Sequence, residues 1–277
     1  VKSLVEIYSN WIPNEKIITT NLWSSELSKL VSNAFLAQRI SSINSISALC
    51  ESTGADIDEV SIAVGRDKRI GPEFLKASVG FGGSCFQKDI LSLVYLCKYY
   101  NLEEVANYWE GVIKINNYQR NRFSKKIIQS LFGSVSEKKI CILGWSFKKN
   151  TNDSRESSAI VVSNNLIENG AEIQIYDPKV EKERIISDMN EYWLNQDIKS
   201  SLIKEYLSKI KILENPKDAS KKASGLCILT EWEEFLTIDW KLIYSSMKRP
   251  AWIFDGRNIM DGEFLKKLGF ELYQIGK

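Results

Sequence analysis

The first half of the chain carries apolar residues at helical spacing. Apolar side chains recur every three or four positions over 27–49, behind two possible N-cap residues, Ser24 and Ser25, and the pattern stops at Gly54. This spacing predicts one amphipathic helix over 25–53, which at roughly thirty residues is long for a globular protein. Shorter helices are predicted at 57–64 and 86–100, and a long connecting helix is predicted at 102–131.

The pattern changes near Lys138, where short apolar runs begin to alternate with helical stretches. The runs at 139–144 and 172–176 flank a helix predicted at 157–169 and stopped by Gly170. This order of strand, helix and strand is typical of a mostly parallel, doubly wound sheet, in which ligands bind at the carboxyl ends of the strands. Further strands are predicted at 210–213, 226–230, 251–254 and 271–275.

Two stretches carry weaker patterns. Residues 1–13 have the pattern of the end of an amphipathic helix that leads into a strand at 16–20. The charged, asparagine-rich stretch 181–204 predicts a loop with helical pieces. The whole pattern therefore predicts an α/β protein, in which a mainly helical domain precedes a doubly wound, mostly parallel, Rossmann-like domain.

Composition narrows the classes of function. The 277 residues are 44% apolar, enough for two domains, and the formal charge of +2 comes without a dense basic stretch, so we expect no nucleic-acid partner. No apolar run approaches the length of a membrane span, so we expect no membrane partner. Five cysteines without a C-x-x-C pair argue against disulfides and zinc and favour a reducing, cytoplasmic location.

Histidine is absent from the chain. Its absence excludes Ser-His-Asp and Cys-His catalysis and histidine-ligated metals, and we expect no metal. Any proton transfer is left to carboxylate, lysine, tyrosine, cysteine or water.

The segment 80–89, GFGGSCFQKD, places three glycines before a thiol. Glycine adopts backbone conformations closed to other residues and leaves room for a ligand. Cys85 lies between this loop and the predicted helix 86–100, where the helix N-terminus favours the thiolate, and Asp89 at i+4 shares its face. The pattern indicates a nucleophile on a loop, although a cysteine beside a glycine turn is more often buried and inert.

Lys29 and Asn33 form a second polar pair. They are i and i+4 on the predicted long helix, so their side chains project together. Taken alone, the spacing favours a lysine that snorkels at the edge of an ordinary helix. A lysine in this position is also able to stabilise an oxyanion or to hold a water molecule.

The motif at 80–89 resembles the active-site cysteine loop of the UDP-glucose/GDP-mannose dehydrogenase family, and the wider chain resembles the eukaryotic members that oxidise UDP-glucose. The matching stretches run in family order over nearly the whole chain. They are WSSELSKL at 23–30, NAFLAQRISSIN at 33–44, FLKASV at 74–79, ILGWSFKK at 142–149 and FDGR at 254–257.

The resemblance implies a four-electron oxidation of UDP-glucose to UDP-glucuronate that uses two NAD+. Cys85 would form first a thiohemiacetal and then a thioester with the sugar. Lys29 and Asn33 would stabilise the alkoxide or oxyanion and hold the water, while Asp89 would transfer protons or hold that network together.

The resemblance also implies contacts with substrate and cofactor. Phe147 and Lys148 suit packing on the nucleotide and pairing with the pyrophosphate, and Arg69 matches a residue donated across the dimer. Each of the cations is otherwise an ordinary surface residue. The implied substrate contacts are Lys29, Asn33, Arg69, Phe74, Leu75, Lys76, Ala77, Ser78, Val79, Gly80, Phe81, Gly82, Phe147, Lys148 and Arg257, and the implied NAD contacts are Cys85, Lys88 and Arg155.

The family begins with an NAD-binding Rossmann domain, whereas this sequence has no G-x-G-x-x-G after a strand near its start. We therefore expect 1–21 to be a remnant of that domain, 22–132 a central helical dimerisation domain and 133–277 a UDP-sugar-binding domain. The chain would then be a truncated piece that does not turn over alone. The resemblance implies a homodimer through the long helix 25–53, and a higher oligomer is left open.

Two other functions remain open from the sequence. The cysteine loop does not by itself choose the sugar nucleotide, so a dehydrogenase of another one, such as GDP-mannose, is the first alternative. The second is a non-catalytic nucleotide-sugar-binding dimerisation module. The four intact polar residues Cys85, Lys29, Asn33 and Asp89 argue against it.

Overall fold

The computed structural model describes residues 1–277. Along the chain, a helical layer comes first, and a sheet flanked by helices follows it. The helices are α1 (Lys2–Tyr8), α2 (Leu22–Thr53), α3 (Ile57–Gly65), α4 (Ser84–Tyr99), α5 (Glu103–Ser130), α6 (Ser158–Glu168), α7 (Lys182–Leu194), α8 (Ser200–Ser208), α9 (Pro216–Ser220), α10 (Glu234–Thr237), α11 (Trp240–Ser246) and α12 (Gly262–Leu268). The strands are β1 (Lys139–Leu143), β2 (Glu172–Tyr176), β3 (Ile210–Ile212), β4 (Gly225–Ile228), β5 (Trp252–Asp255) and β6 (Glu271–Gln274).

Helix α2 is continuous over 32 residues, and α4 and α5 pack against it, which confirms the predicted long helix. Its N-cap is Asn21, whose side chain accepts a hydrogen bond from the Ser24 N–H at 2.8 Å. The predicted caps Ser24 and Ser25 are wrong because both serines already lie in the first turn. Gly54 ends the helix in the left-handed conformation. No helix is both long and apolar enough to cross a membrane.

The six strands form one parallel sheet in the order β3-β2-β1-β4-β5-β6. Side chains of the central strand β1 alternate between two cores: Ile140 and Ile142 pack with α5, α6 and α7, whereas Cys141 and Leu143 pack with α9, α11 and α12. The sheet is therefore covered on both faces. This arrangement confirms the predicted α/β class and the doubly wound parallel sheet.

Two weakly patterned stretches differ from their predictions. Residues 16–20 form no strand; a 3₁₀ turn at Asn14–Lys16 precedes them, and all strands come from 139–274, so this segment has no partner for ladder hydrogen bonds.

The stretch 181–204 is mostly helical rather than a loop, because it forms α7 and the first part of α8. Ile185, Met189 and Trp193 are buried at intervals of four residues along α7. The abundant charged residues had hidden this apolar stripe, which is the ordinary pattern of a helix on a sheet.

The end of the chain returns to the helical layer. Glu51 on α2 accepts hydrogen bonds from the Tyr273 hydroxyl at 2.8 Å and the Gly276 N–H at 2.9 Å. The same carboxylate pairs with Arg122 on α5 at 2.8 Å. One partly buried carboxylate thus joins α2, α5 and the last strand.

The crowding at the end of β1 is open to a direct test. Gly144 has a φ of +95°, and a Cβ there would lie 2.5 Å from the Thr230 Cβ, whereas Gly133 has a φ of +77° with open space around it. We expect Gly144→Ala to lower the free energy of unfolding by about 2–5 kcal/mol, through backbone strain and overpacking. Gly133→Ala should lower it by about 1–2 kcal/mol, through strain alone. Urea unfolding measures both, and equal losses would contradict the crowding.

Candidate active site

The glycine loop before Cys85 lies against the sheet domain. A Cβ at Gly82 would be 2.5 Å from the Glu156 carbonyl oxygen, and one at Gly83 would be 2.9 Å from the Phe147 ring. Gly83 also has a φ of +84° and is the N-cap of α4. At these two positions the missing side chain makes room for the protein itself.

Cys85 is the one exposed cysteine of the chain. Helix α4 begins at Ser84, two residues earlier than predicted, so Cys85 stands in the first helical turn rather than on the loop. The other four cysteines are free and buried. Burial raises the pKa of the thiols of Cys97, Cys141 and Cys227, which makes them inert at neutral pH.

Asp89 joins the predicted polar residues into one cluster. Its Oδ2 atom accepts hydrogen bonds from Lys29 Nζ at 2.5 Å and from Asn33 Nδ2 at 2.6 Å. Lys88 Nζ lies 3.5 Å from the other oxygen. The carboxylate is 2% exposed, whereas the Lys29 side chain is 61% exposed. Helices α2 and α4 therefore bring together residues that are 56 and 60 positions apart.

The hydrogen bonds of this cluster determine which of its groups are ionised. Burial opposes ionisation of Asp89, but the hydrogen bonds from Lys29 and Asn33 outweigh it and lower the pKa of that carboxyl below its ordinary value. The hydrogen bond to Asp89 raises the pKa of Lys29, and a negative charge on the nearby Cys85 would raise it further. At neutral pH the site thus holds an ammonium group and a carboxylate beside the thiol.

A cleft of about 440 Å³ opens beside the loop, at the carboxyl end of the sheet. Ile40, Phe86 and Glu231 line it without having been predicted. Glu231 follows β4, so the rule that ligands bind at strand ends would have found it. The predicted substrate residues that line the cleft are Phe74, Lys76, Ser78, Gly80, Phe81, Gly82, Phe147, Lys148 and Arg257.

Three predicted substrate residues, Leu75, Ala77 and Val79, have side chains in the core. Along 75–79 these buried side chains alternate with Lys76 and Ser78, which line the cleft. Even-numbered positions therefore face the cleft, and odd-numbered ones fill the interior. The matched motif predicted that this segment contacts substrate, but it did not predict which of the side chains are buried.

Arg257 places a buried cation at the floor of the cleft. Its guanidinium donates to the carbonyl oxygens of Leu229 at 2.7 Å and Phe147 at 3.1 Å, and Nη1 lies 3.5 Å from the Gly80 oxygen. Glu231 Oε2 lies 3.3 Å from Nε, but that N–H points at Leu229, so the pair is an ion pair without a hydrogen bond. Burial lowers the pKa of Arg257, and the charges of Glu231 and Asp255 oppose that shift.

Two of the three predicted NAD contacts lie at a second, larger cleft of about 850 Å³ between α4, α6 and α7, which Cys85 does not line. Lys88 and Arg155 line it, and the Gly83 N–H donates to the Arg155 carbonyl at 2.8 Å. Both cationic side chains are largely exposed, and Arg155 pairs with Asp153 at 2.7 Å. Arg69 lines neither cleft; its side chain is 88% exposed and pairs with Asp67 at 2.6 Å.

The sheet itself does not provide a dinucleotide crevice. In a dinucleotide fold the acidic residue after the second strand binds a ribose. Here Asp177 instead accepts hydrogen bonds from the Trp145 N–H at 2.6 Å, the Ser146 N–H at 3.1 Å and the Trp232 indole at 3.1 Å. No group of three or more histidine, cysteine or acidic residues is arranged to hold a metal.

Comparison with known proteins agrees with this geometry. Residues 23–118 match the model of the UDP-glucose/GDP-mannose dehydrogenase family, central domain, and residues 141–262 match that of the UDP binding domain of the same family. The chain is 56% identical over 278 residues to UDP-glucose 6-dehydrogenase of Drosophila melanogaster and 54% identical over 280 residues to UDP-glucose 6-dehydrogenase 5 of Oryza sativa subsp. japonica. All of this chain is matched, but it spans only 57% and 58% of those two proteins.

Solved structures show the same fold. A UDP-glucose dehydrogenase from Pyrobaculum islandicum has a TM-score of 0.71 at 28% identity, over 91% of this chain and 51% of that one. An NDP-N-acetyl-D-galactosaminuronic acid dehydrogenase from Methanosarcina mazei has a TM-score of 0.78 at 20% identity, over 100% and 55%. Since the two domain models together span most of its length, the chain belongs to the UDP-glucose/GDP-mannose dehydrogenase family.

Proposed function

We propose that this chain carries the nucleophile and the sugar-nucleotide site of an enzyme that oxidises UDP-glucose to UDP-glucuronate with NAD+. The observation that carries the proposal is the cluster of Lys29, Asn33 and Asp89, close enough to Cys85 for a thiolate there to raise the pKa of Lys29, next to a cationic cleft. The identity to UDP-glucose 6-dehydrogenases supports UDP-glucose over GDP-mannose as substrate.

Cys85 is the proposed point of covalent attachment. When bound, NAD+ accepts a hydride in each oxidation. At the aldehyde stage the thiolate sulfur bonds to C6 of the sugar, and the carbonyl oxygen takes up the negative charge. After oxidation to the thioester, water attacks C6, the carbon–sulfur bond breaks and the sulfur leaves as thiolate. The aldehyde is then never released.

Lys29 and Asn33 are the proposed donors to the oxyanion. Each gives one hydrogen to Asp89, which leaves the Lys29 ammonium two hydrogens and the Asn33 amide one for substrate or water. Asp89 orients both donors. Because its pKa is lowered, it is a weak base, which favours the holding role over proton transfer.

The cleft suits a nucleoside diphosphate joined to a sugar. Lys76, Lys148 and Arg257 supply positive charge for the pyrophosphate, and Phe147 offers an aromatic face for packing. Arg69, which points away from the cleft of its own chain, would act on the cleft of a partner subunit.

We also propose a homodimer through 25–53, on which a larger assembly would be built. Apolar side chains on α2 remain exposed along its length, among them Phe35 at 55% and Leu49 at 59%, and pairing with a second copy would cover them.

Turnover requires more than this chain. Lys88 and Arg155 would hold NAD from one side, and the dinucleotide crevice would come from the remaining length that the relatives have. The residues 1–21 would belong to that domain, with the helical domain over 22–132 and the UDP-sugar domain over 133–277. The isolated chain is expected to bind substrate without oxidising it.

Calorimetric titration tests the substrate. We expect the chain to bind UDP-glucose and not GDP-mannose, and Lys148→Met to weaken binding about tenfold by removing a charged contact to phosphate. Lys149→Met is the matched control, because Lys149 pairs with Glu233 outside the cleft. Equal binding of the two sugar nucleotides would overturn the choice of UDP-glucose. Loss of affinity in both variants alike would contradict the specific role of Lys148.

Alkylation tests the thiol. Iodoacetamide should modify one cysteine in the folded chain, Cys85, because the other four are buried. Mass spectrometry should find no fast label in Cys85→Ser, and saturating UDP-glucose should slow the reaction of the unchanged protein. In the complete enzyme, Cys85→Ala should abolish formation of UDP-glucuronate. Normal product formation by that variant would exclude the covalent mechanism.

A further inference from the structure

We propose that Arg120 is a positioning residue that fixes the glycine loop against the sheet domain and so sets the geometry of the substrate cleft. Arg120 lies on α5, outside the cleft lining, and it binds the predicted substrate residue Phe81 through the backbone oxygen. The inference rests on the proposed function only in taking this cleft to be the UDP-glucose site.

The guanidinium of Arg120 binds carbonyl groups from both halves of the molecule. Its Nη2 atom donates to the Phe81 oxygen at 2.6 Å and to the Glu156 oxygen at 2.8 Å. Nε donates to the Ser158 hydroxyl at 3.1 Å, and Nη1 reaches the Asn117 side chain at 3.4 Å. One planar fork thus joins the loop before α4 to the segment before α6.

Arg120 is a buried cation without a carboxylate in contact. The residue is 2% exposed, and no ion pair includes it. Burial lowers its pKa to about 10, and the charge of Glu156 opposes that shift, so the group stays protonated at neutral pH. A buried charge is costly unless its hydrogen bonds are satisfied, so the two carbonyl groups are bound tightly in place.

The same face of α5 binds the loop at two more points. The Asn116 amide accepts from the Phe81 N–H at 2.9 Å and donates to the Phe81 oxygen at 3.1 Å. The Gln119 amide donates to the Ser78 oxygen at 2.9 Å. Gln119 and Arg120 follow Asn116 by three and four positions, which places each of them beside Asn116 on the helix. The loop therefore takes its backbone shape from side chains rather than from a strand.

This network controls the width of the cleft. One wall of the cleft is the loop around Gly80 and Phe81. The other wall contains Phe147 and Lys148, and the chain continues from them to Glu156. Arg257, which lines the cleft, lies 3.5 Å from the Gly80 oxygen, and Arg120, which does not line the cleft, binds the Phe81 oxygen. Loss of Arg120 would free the loop from the second wall without removing any group that contacts the substrate.

A pair of matched substitutions on α5 separates positioning from general stability. Arg120→Lys keeps the charge but cannot span both carbonyl groups, whereas Arg122→Lys keeps a cation beside its partner Glu51 and weakens a contact with the Gln119 side-chain oxygen, 3.1 Å from Arg122 Nη2. We expect Arg120→Lys to weaken UDP-glucose binding about tenfold, and amide hydrogen exchange in 78–84 to quicken by a similar factor. Arg122→Lys should change both much less, because the Gln119 amide still donates to the Ser78 oxygen. Urea unfolding of both variants supplies the comparison of stability.

A milder variant keeps the test decisive if Arg120→Lys does not fold. Ser158→Ala removes only the acceptor of Arg120 Nε and should weaken UDP-glucose binding about threefold, with faster exchange in 78–84. Unchanged affinity and exchange in the folded variants would overturn the inference, as would equal losses in Arg120→Lys and Arg122→Lys. If the unchanged chain does not bind UDP-glucose, the proposed function fails, and hydrogen exchange alone still decides the role of Arg120.

Discussion

Helix α5 is packed into two hydrophobic cores at once. In its first half Ala106 and Val112 lie in the core with α2 and α4, and in its second half Phe123 and Ile127 lie in the core beneath the sheet. The helix is continuous over 28 residues, so the two cores cannot turn against each other unless its hydrogen bonds break or one core opens. The relative position of the glycine loop and the strand ends follows from this constraint.

Two arginine side chains carry positive charge in buried positions beside the glycine loop. Arg120 contacts the Phe81 oxygen and Arg257 the Gly80 oxygen of the loop, and burial lowers the pKa of both. Their guanidinium groups donate mainly to backbone carbonyl oxygens, and the carboxylates of Glu231 and Asp255 lie near Arg257. A diphosphate in the cleft would supply the missing negative charge. Its binding would therefore stabilise the fold as well as the complex.

Much of this arrangement was predictable because local patterns agreed with the global fold. Strand β2 was predicted to the residue, and the long helix, the doubly wound sheet and the pairing of Lys29 with Asn33 followed from periodicity. The matched motifs also identified most of the residues that line the cleft. The glycines before Cys85 marked that residue as a candidate nucleophile. These features depend on short stretches of sequence.

Other features depend on contacts between distant segments and left no local signal. Leu75, Ala77 and Val79 are buried because this segment alternates between the cleft and a core that the sequence does not reveal. Asn116 and Arg120 were visible as polar residues in a helix, but only the fold places the loop opposite them. The segment 16–20 has strand-like composition, yet a strand also needs a neighbouring strand.

The unequal exposure of the cysteines separates chemical damage from structural damage. Four thiols are enclosed in packed cores, where an oxidant in solution does not reach them, and one stands at the surface in the first turn of α4. A peroxide would therefore convert Cys85 to a sulfenic acid before any other thiol reacted. The chain would keep its fold while the group proposed as nucleophile was lost, and a thiol reductant would restore it.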